Sequence, residues 1–599
     1  MLPQRRVPVL SNPVASLDAQ VLAVWKSIGG FQGVPSPATC FTDFAGTPCV
    51  EDSVVAMMYD ATQNGALGTN LAPGGGTFDS SSGWTAAGAW IISGGVASVT
   101  GASGELLRST GGLVSGKLYK TSFTITSFSS GNCRVYAGGI LGTARSAVGT
   151  YTEYIICGSS NTNLAITATS GTYSVDNISF QEVLGYNFVQ TGATALRPIL
   201  RAPNSVRDPI TSTTGEVWTP TRTFISGDAR IRKDSSGTPY AAYSGTTSNY
   251  WSTPDAAALD LSGNASCVLI VAPNDNTPAS IQGLISNLSG TTGEFSVYIG
   301  ADGTVGVRWY LAGVAQSYIS TSPIPYSDGT KYWIRVKLTR GTKVVFETST
   351  DGTNYTQLGT DVTAVSLATA STNPMLVGCR LTTEPLNGKI YYAAIYANDT
   401  ATGTPAAVFN PSLAVFGNGW SLDFDGTQTF LDIPSATAMM QNVAAGTLVS
   451  AYSHSGLANA DTITFSYNAG GGARMAIRTL NTTQHSIVGR RLDGDTAVAI
   501  SGGSFGRAVT HGKFNPVGRS IIERVNGVDS NPSTYNPDTS GNTSNTASYG
   551  VSVGCVRGSS NSNFWRGQIY YFAAAPALLT SAQQALVDNY AKKLSGVSF

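Results

Sequence analysis

The sequence predicts an all-β chain of several β-sandwiches, with one short helix near each end. Three observations carry this. Only 12% of residues are charged while Gly numbers 68, and β-branched and aromatic residues alternate with Ser, Thr and Asn between Gly turns. That mixture suits half-buried pleated strands joined by tight turns. At 599 residues the chain exceeds one hydrophobic core, so three or four domains are expected. Finally, "GKIYY" at 388 and "GQIYY" at 567 repeat one pattern late in two different regions.

The first element is a helix over 16–28, "SLDAQVLAVWKSI", with Ser16 as N-cap and Leu17, Val21, Val24 and Trp25 on one apolar stripe. From 67 to 183 come period-two strands such as "KLYKTSFTITSF" and "YSVDNISFQEV" between Gly/Ser turns, the pattern of a β-sandwich. Two comparable regions follow. Tyr243 begins "YSGTTSNYWSTP" and Phe424 begins "FDGTQTFLDIP"; "VGC" stands at 377 and again at 553; the Gly-x-Ile-Tyr-Tyr motifs start at 388 and 567. Motifs in one order at nearly constant offset mark two copies of one domain. Ile390 and Ile569 should then occupy equivalent buried positions, and period-two alternation sends one Tyr of each Tyr391/Tyr392 and Tyr570/Tyr571 pair into the core. The last element, "LLTSAQQALVDNYAKKL", is a helix capped at Thr580.

Charge excludes some functions. Lys+Arg 35 balances Asp+Glu 35 with no basic run, so neither nucleic acid nor an anionic membrane is an expected partner. The seven cysteines (40, 49, 133, 157, 267, 379, 555) are scattered without a C-x-x-C pair, which argues against zinc. Buried reduced thiols are expected, with Cys40/Cys49 and Cys133/Cys157 open as bridges. "MLPQRRVPVLSNPVASLDAQ" lacks the apolar run of a secretory signal, and no 18-residue apolar stretch occurs. A chain of extracellular composition without a signal suggests assembly in the cytoplasm and release by lysis, as in a virus particle.

Several motifs meet chemistry only on paper. "GGLVSGKL" (111–118) ends in Leu118 where a phosphate loop needs Ser or Thr, and it runs into a strand. "GGSFG" (502–506) matches G-x-S-x-G, but in so Gly- and Ser-rich a chain the match is expected by accident. His454, His485 and His511 form no metal motif. No E-x-D-x-E strand supplies paired glycosidase acids. Asp423 and Asp425, in "DFDG", are weak calcium candidates on a strand entering a turn. For sugar, whose C–H face suits flat rings, the candidates are Trp84, Trp90 and Tyr136.

Residues 67–184, with the opening "GWTAAGAWIISGGVASVT" and the closing "GTYSVDNISFQEV", resemble galactose-binding, carbohydrate-binding-module jelly rolls. The hairpin "KYWIRVKLTRGTKVVFETSTDGTNYTQLGTDV" (331–362), with "GRSIIERVNGVDSN" (518–531) as its shorter counterpart, resembles concanavalin A-like, laminin-G-like sandwiches. "CFTDFAGTPCVEDSVVAMMYDATQNGAL" (40–67) and "NFVQTGATALRPILRA" (187–202) resemble two normally adjacent pieces of tailed-bacteriophage virion proteins, as does the closing helix. About 120 residues part Gly65 from Gln190 here, so the jelly roll is expected as an insertion in the lead-in of the first laminin-G-like domain. The resemblance implies a virion-attachment segment and lead-in (1–66), the jelly roll (67–184) and sandwiches at 185–408 and 409–599. It further implies a virion protein, a tail fibre or head-decorating fibre: non-enzymatic, without cofactor, homotrimeric, touching other virion proteins and binding host-surface glycan. A glycan-degrading enzyme or a cellular adhesin is the alternative.

Overall fold

The computed structural model describes residues 16–108, 112–203, 205–220, 229–247, 249–261, 263–363, 371–436, 438–454, 462–467, 473–479, 484–492, 494–496, 498–501, 506–544, 551–556 and 561–599. Among these the chain is all-β apart from two α-helices and short 3-10 turns, and its antiparallel sheets form three bodies, the jelly-roll region and the two repeats.

Each repeat is built around its Gly-x-Ile-Tyr-Tyr strand. Asn387–Tyr396 lies between Pro239–Ser244 and Ala265–Pro273; Arg566–Ala575 lies between Ser421–Asp425 and Gly446–His454. Ile390 pairs with Ala241 and Val271, Ile569 with Leu422 and Tyr452, and both isoleucines are fully buried, so they hold equivalent positions. The other recurring motifs converge on the same place. Gly378, at φ +85, puts its Cα beneath the Tyr243 ring, and Gly554, at φ +95, does so beneath Phe424. An added Cβ would lie 1.9 Å and 2.5 Å from those rings respectively. The aromatic-x-Gly and Val-Gly-Cys motifs are therefore two halves of one contact.

Both repeats also carry a β-bulge, between Ile270 and Val271 and between Ala451 and Tyr452, which leaves Tyr391 and Tyr570 without a cross-strand partner. The extra residue flips the phase of the strand. Ile390, Ala393 and Ile395 face one core; Ile569, Phe572 and Ala574 face the other. Both tyrosines of each pair thus leave the sandwich interior, which corrects the expectation of one inward Tyr. Tyr391 packs on Tyr240 at 5.4 Å, whereas Tyr570 and Tyr571 join a separate apolar cluster beneath the helices.

Both helices pack on that cluster. α1 (Leu17–Ser27), capped by Ser16, and α2 (Ser581–Ser595), closed by a Thr580/Gln583 capping box, lie together on the second sandwich. Trp25 is fully buried, and its indole N–H donates to the Tyr571 hydroxyl at 2.6 Å. His511 and Arg524 hold Asp588 of α2 at 2.8 and 2.9 Å.

Strand pairing also reassigns the early residues. Phe31–Gly33 pairs with Arg566–Ala575, Ile199–Arg201 pairs with Ser421–Asp425, and Cys40–Phe41, Met57–Met58 and Phe188–Val189 form one sheet with Leu431–Asp432 and Ser552–Val553. Residues 40–58 and 188–201 do meet across the jelly roll, but they complete the second sandwich, not the first. Residues 16–66, read as an attachment segment and lead-in, thus pack on that sandwich and are not a separate domain; residues 1–15 lie outside the described residues. The first sandwich, from about Val206 to Phe409, is itself inserted between Arg201 and Ser421. The equivalence of the hairpins also shifts: Tyr332–Thr339 with Lys343–Ser349 corresponds to Arg507–Asn515 with Ser520–Val525, one strand earlier than 518–531.

The jelly-roll region is a single eight-stranded sheet among the described residues, organised by two 20-residue strands, Leu118–Ala137 and Leu164–Val183. The ends of the first alternate buried and half-buried residues, while its middle, residues 126–132, is exposed or half-exposed and the register shifts there. Leu118 and Val183 pack outward on Phe41, Met57 and Val189, and Tyr59 and Tyr154 share a hydroxyl hydrogen bond of 2.7 Å, so the insertion is docked. Its neck is tied by buried Asp60, which accepts from the N–H groups of Gln32, Thr62 and Tyr186.

A left-handed φ costs a non-glycine residue about 1–2 kcal/mol, and overpacking a core about 1–3 kcal/mol more. Gly378→Ala and Gly554→Ala should therefore lower the denaturation midpoint clearly more than Gly341→Ala, a site at φ +75 with open space around it. Equal losses at all three would refute the shared ring-over-glycine contact.

Candidate functional site

Where the docked jelly roll stops touching the second sandwich, a cleft of about 580 Å³ remains. Ile140 and Leu141, 47% and 52% exposed, stand on one lip, and Tyr154 and Ile156 of the strand Gly149–Ile156 form the floor with Phe44. Opposite are Val189, Thr191, Asp432 and Pro434 of the second sandwich. That strand is the edge of its sheet, and its outer side meets Phe44, whose carbonyl accepts from the Tyr154 N–H at 2.6 Å. The buried Glu153 carboxylate lies within the wall, accepting from the Thr143 N–H at 3.0 and 3.2 Å, with Arg145 at 3.5 Å. Mostly apolar walls with a few placed polar groups are the usual make-up of a small-molecule site.

The sugar candidates lie elsewhere. Trp84 (7% exposed) packs on Phe78, and Trp90 (4% exposed) donates its indole N–H to the Gly104 carbonyl and meets Tyr173 edge-on. Neither offers a face to a ligand; both serve the jelly-roll core. Tyr136 is half-buried, and its hydroxyl accepts from Asn161 at 2.7 Å. The structure does not bring the three together as a platform. Leu141 and Tyr154 were not legible as site residues, because what makes them so is the docking of two bodies distant in sequence.

The calcium candidates are also answered. Asp423 is fully buried and held by Arg201 Nε at 3.1 Å and Arg207 Nη1 at 2.7 Å, so guanidinium groups occupy the place a cation would take. Asp425 accepts from the N–H groups of Thr427, Gln428 and Thr429 and from two threonine hydroxyls, closing its own turn. Among the described residues no group of three or more His, Cys, Asp or Glu is placed to hold a metal. All seven cysteines are buried thiols outside any disulfide, and burial pushes Cys40, Cys133 and Cys267 up to about 12. Lys117 of the phosphate-loop look-alike pairs with Glu182 at 3.0 Å, and Leu118 opens a strand. Of "GGSFG", residues 502–505 lie outside the described residues, as does the His485 side chain.

Asp423 belongs to a wider network where the first sandwich joins the second. Arg201 also reaches Asp52 at 2.8 Å; Arg230 grips Asp52 at 2.5 and 2.8 Å; Arg232 reaches Glu51 at 3.0 Å. Burial alone would raise the Asp52 carboxyl, but Arg230 and Arg201 outweigh it and hold it below the usual carboxylate range.

No protein-family model matches the sequence, and no curated protein does. Among solved structures the chain is similar to domains LG4-5 of the mouse laminin alpha1 chain (10% identity, 54% of this chain and 85% of that one, TM-score 0.20). It is also similar to the binding domain of botulinum neurotoxin serotype G (10%, 53% and 75%, TM-score 0.25). A third likeness is a botulinum neurotoxin type C structure whose title describes cell entry dependent on two ganglioside molecules (10%, 64% and 94%, TM-score 0.24). At these TM-scores none of them bears on what this chain does.

Removing one partner of a buried ion pair costs about 3–5 kcal/mol, because the other charge is left unpaired. Asp423→Ala should lose stability of that order in chemical denaturation. As for pH, a carboxyl whose folded pKa is depressed stabilises above its unfolded value, about 3.9, and that contribution drains away as pH falls further through the folded value. The chain should therefore lose stability steeply below about pH 4, and Asp52→Asn should show a flatter pH profile there; an unchanged slope would refute the role given to Asp52.

Proposed function

We propose that this chain is a non-enzymatic structural protein of a tailed-bacteriophage particle, a tail fibre or head-decorating fibre, that binds host-surface glycan. The observation that supports the binding is the cleft between jelly roll and second sandwich. Its rings and aliphatic side chains suit the C–H face of a pyranose, while Glu153, Asp432 and Thr191 suit a hydroxyl rim. A cleft of this openness binds weakly alone. Presentation in several copies, as in a homotrimer, raises weak affinity by orders of magnitude through effective concentration.

The way the bodies are joined supports the particle assignment. The jelly-roll region and the two sandwiches are joined by nested insertions, buried ion pairs and a docked interface. A stiff body keeps its sites at fixed spacing, which is what multivalent attachment to a surface requires. The low charge and the absence of paired glycosidase acids in the sequence favour holding over hydrolysing.

Host polysaccharide or lipopolysaccharide titrated with the purified chain should bind and keep its length. Leu141→Asp, which places a charge on the exposed lip, should weaken binding about tenfold or more with little change in melting temperature. Shortening of the glycan would overturn the non-enzymatic reading, undiminished binding by the variant would move the site elsewhere, and absence of the chain from purified particles by mass spectrometry would defeat the virion assignment.

A further inference from the structure

An open sheet ends in strands whose outer N–H and C=O groups lack a neighbour, and folded chains blunt such edges with charge, proline, a bulge, shortness or cover. Most edges among the described residues follow that rule. Arg230–Lys233 carries three cations, and Gly149–Ile156 carries Glu153 and meets Phe44. Ile199–Arg201 is bridged by Val54, Thr462–Tyr467 lies against Ser552–Val553, and Val498–Ser501 lies against Ser533–Thr534. Thr85–Ala86, Ile210–Thr211 and Thr356–Gln357 are two residues long.

The strand Val314–Ile319, "VAQSYI", departs from it. It ends the eight-stranded sheet of the first sandwich and, among the described residues, pairs with Val305–Leu311 alone. Its six residues include no charge and no proline, and the pairing has no register shift.

That pairing decides which backbone groups are free. Leu311 and Val314 close the hairpin, and the Ser320 N–H donates to the Val305 carbonyl at 2.8 Å, so Val314, Gln316 and Tyr318 bond to the neighbouring strand. Ala315, Ser317 and Ile319 therefore turn their N–H and C=O groups outward, and no described residue takes them. Val314 is 62% and Ile319 45% exposed. Tyr318 stacks on the fully buried Trp309 at 5.0 Å, so the core holds the edge in place.

We infer that this edge pairs with the same edge of a second copy of the chain, antiparallel about a two-fold axis at Ser317. The strand complements its own reverse. With Ser317 opposite its copy, Ala315 meets Ile319 on the outer face and Gln316 meets Tyr318 on the inner, a shorter side chain against a longer one each time. Each outward residue then donates and accepts a backbone hydrogen bond within the strand, whereas a shift of the axis by one residue pushes a pair into the turn or past the strand end. The nearest charge, Arg308, donates to the Ser317 hydroxyl from one strand back. It would lie about 14 Å from its own copy, beyond the screening length of about 8 Å at physiological salt. An uncharged edge gives a foreign strand no electrostatic selection, while symmetry satisfies a copy without further design. The contact is small, and copies held on one particle strengthen it through effective concentration. It does not rest on the glycan reading, and because such a pair closes at two it is distinct from a homotrimer contact.

The test is sedimentation of the full chain over a range of concentrations. The mass should rise with concentration, by twofold from a monomer. Ser317→Pro, which removes the central outward N–H, and Ile319→Lys, which charges the strand, should each weaken association about tenfold or more. Both positions face outward at an edge, so melting temperature should hold; if the proline lowers it, Ile319→Lys decides. All seven native thiols are buried, so Ser317→Cys adds a reactive thiol at the axis. With diamide, which takes up both thiol hydrogens as one disulfide forms, this variant should cross-link to a dimer several-fold faster than Val148→Cys, a position 61% exposed away from the edge. A mass that stays constant with concentration, or association unchanged in both variants, overturns the proposal. Protection of residues 315–319 from hydrogen exchange that appears only with another protein of the particle overturns it too, as the mark of a foreign strand.

Discussion

The buried guanidinium–carboxylate network is the constraint on which the arrangement of domains depends. Arg201 is the last paired residue before the first sandwich begins, and Asp423 lies just after it ends. Their contact closes the whole insertion, while Arg230, from inside the inserted sandwich, shares Asp52 with Arg201. A buried ion cluster is a weak source of net stability, since desolvation offsets most of its Coulomb energy. Its effect is on specificity: a misplaced sandwich would strand several charges without partners.

The sequence was readable wherever the determining interactions are local or recur. Both helices follow from caps and stripes within one turn or two. The repeat was visible because a glycine under an aromatic ring admits few residues at either partner, so both copies keep the glycine, at Gly378 and Gly554, and an aromatic ring over it, Tyr243 and Phe424. The bulge was not visible: one extra residue reverses which side each tyrosine faces, and nothing in Ile-Tyr-Tyr announces it. Nor was the ownership of residues 31–58 and 188–201, since pairing across hundreds of residues leaves no local trace. The tryptophans misled as site candidates for a general reason: a large ring suits a core as well as a sugar, and composition does not separate the two.

The candidate sites were illegible for a related reason. The cleft exists because two bodies dock, and the ion network exists because strands more than two hundred residues apart meet, Arg201 with Asp423. In the sequence Asp423 stands out, with Asp425, only as a calcium candidate. Its structural meaning is the reverse, an anion held between the guanidinium groups of Arg201 and Arg207.

The nested connectivity also sets an order of events in time. Trp25 and Tyr571, 546 residues apart, meet in one hydrogen bond, and the strand Phe31–Gly33 pairs with residues 572 to 574. The jelly roll and the first sandwich are each contiguous, so each can fold as soon as its own residues have left the ribosome, whereas the second sandwich must wait for the late strand. Throughout synthesis the early strand and the apolar side of α1 are without their partners. A chain cut short upstream of residue 566 would leave those surfaces open, and exposure to chaperones during translation follows from putting both ends of the chain into one sheet.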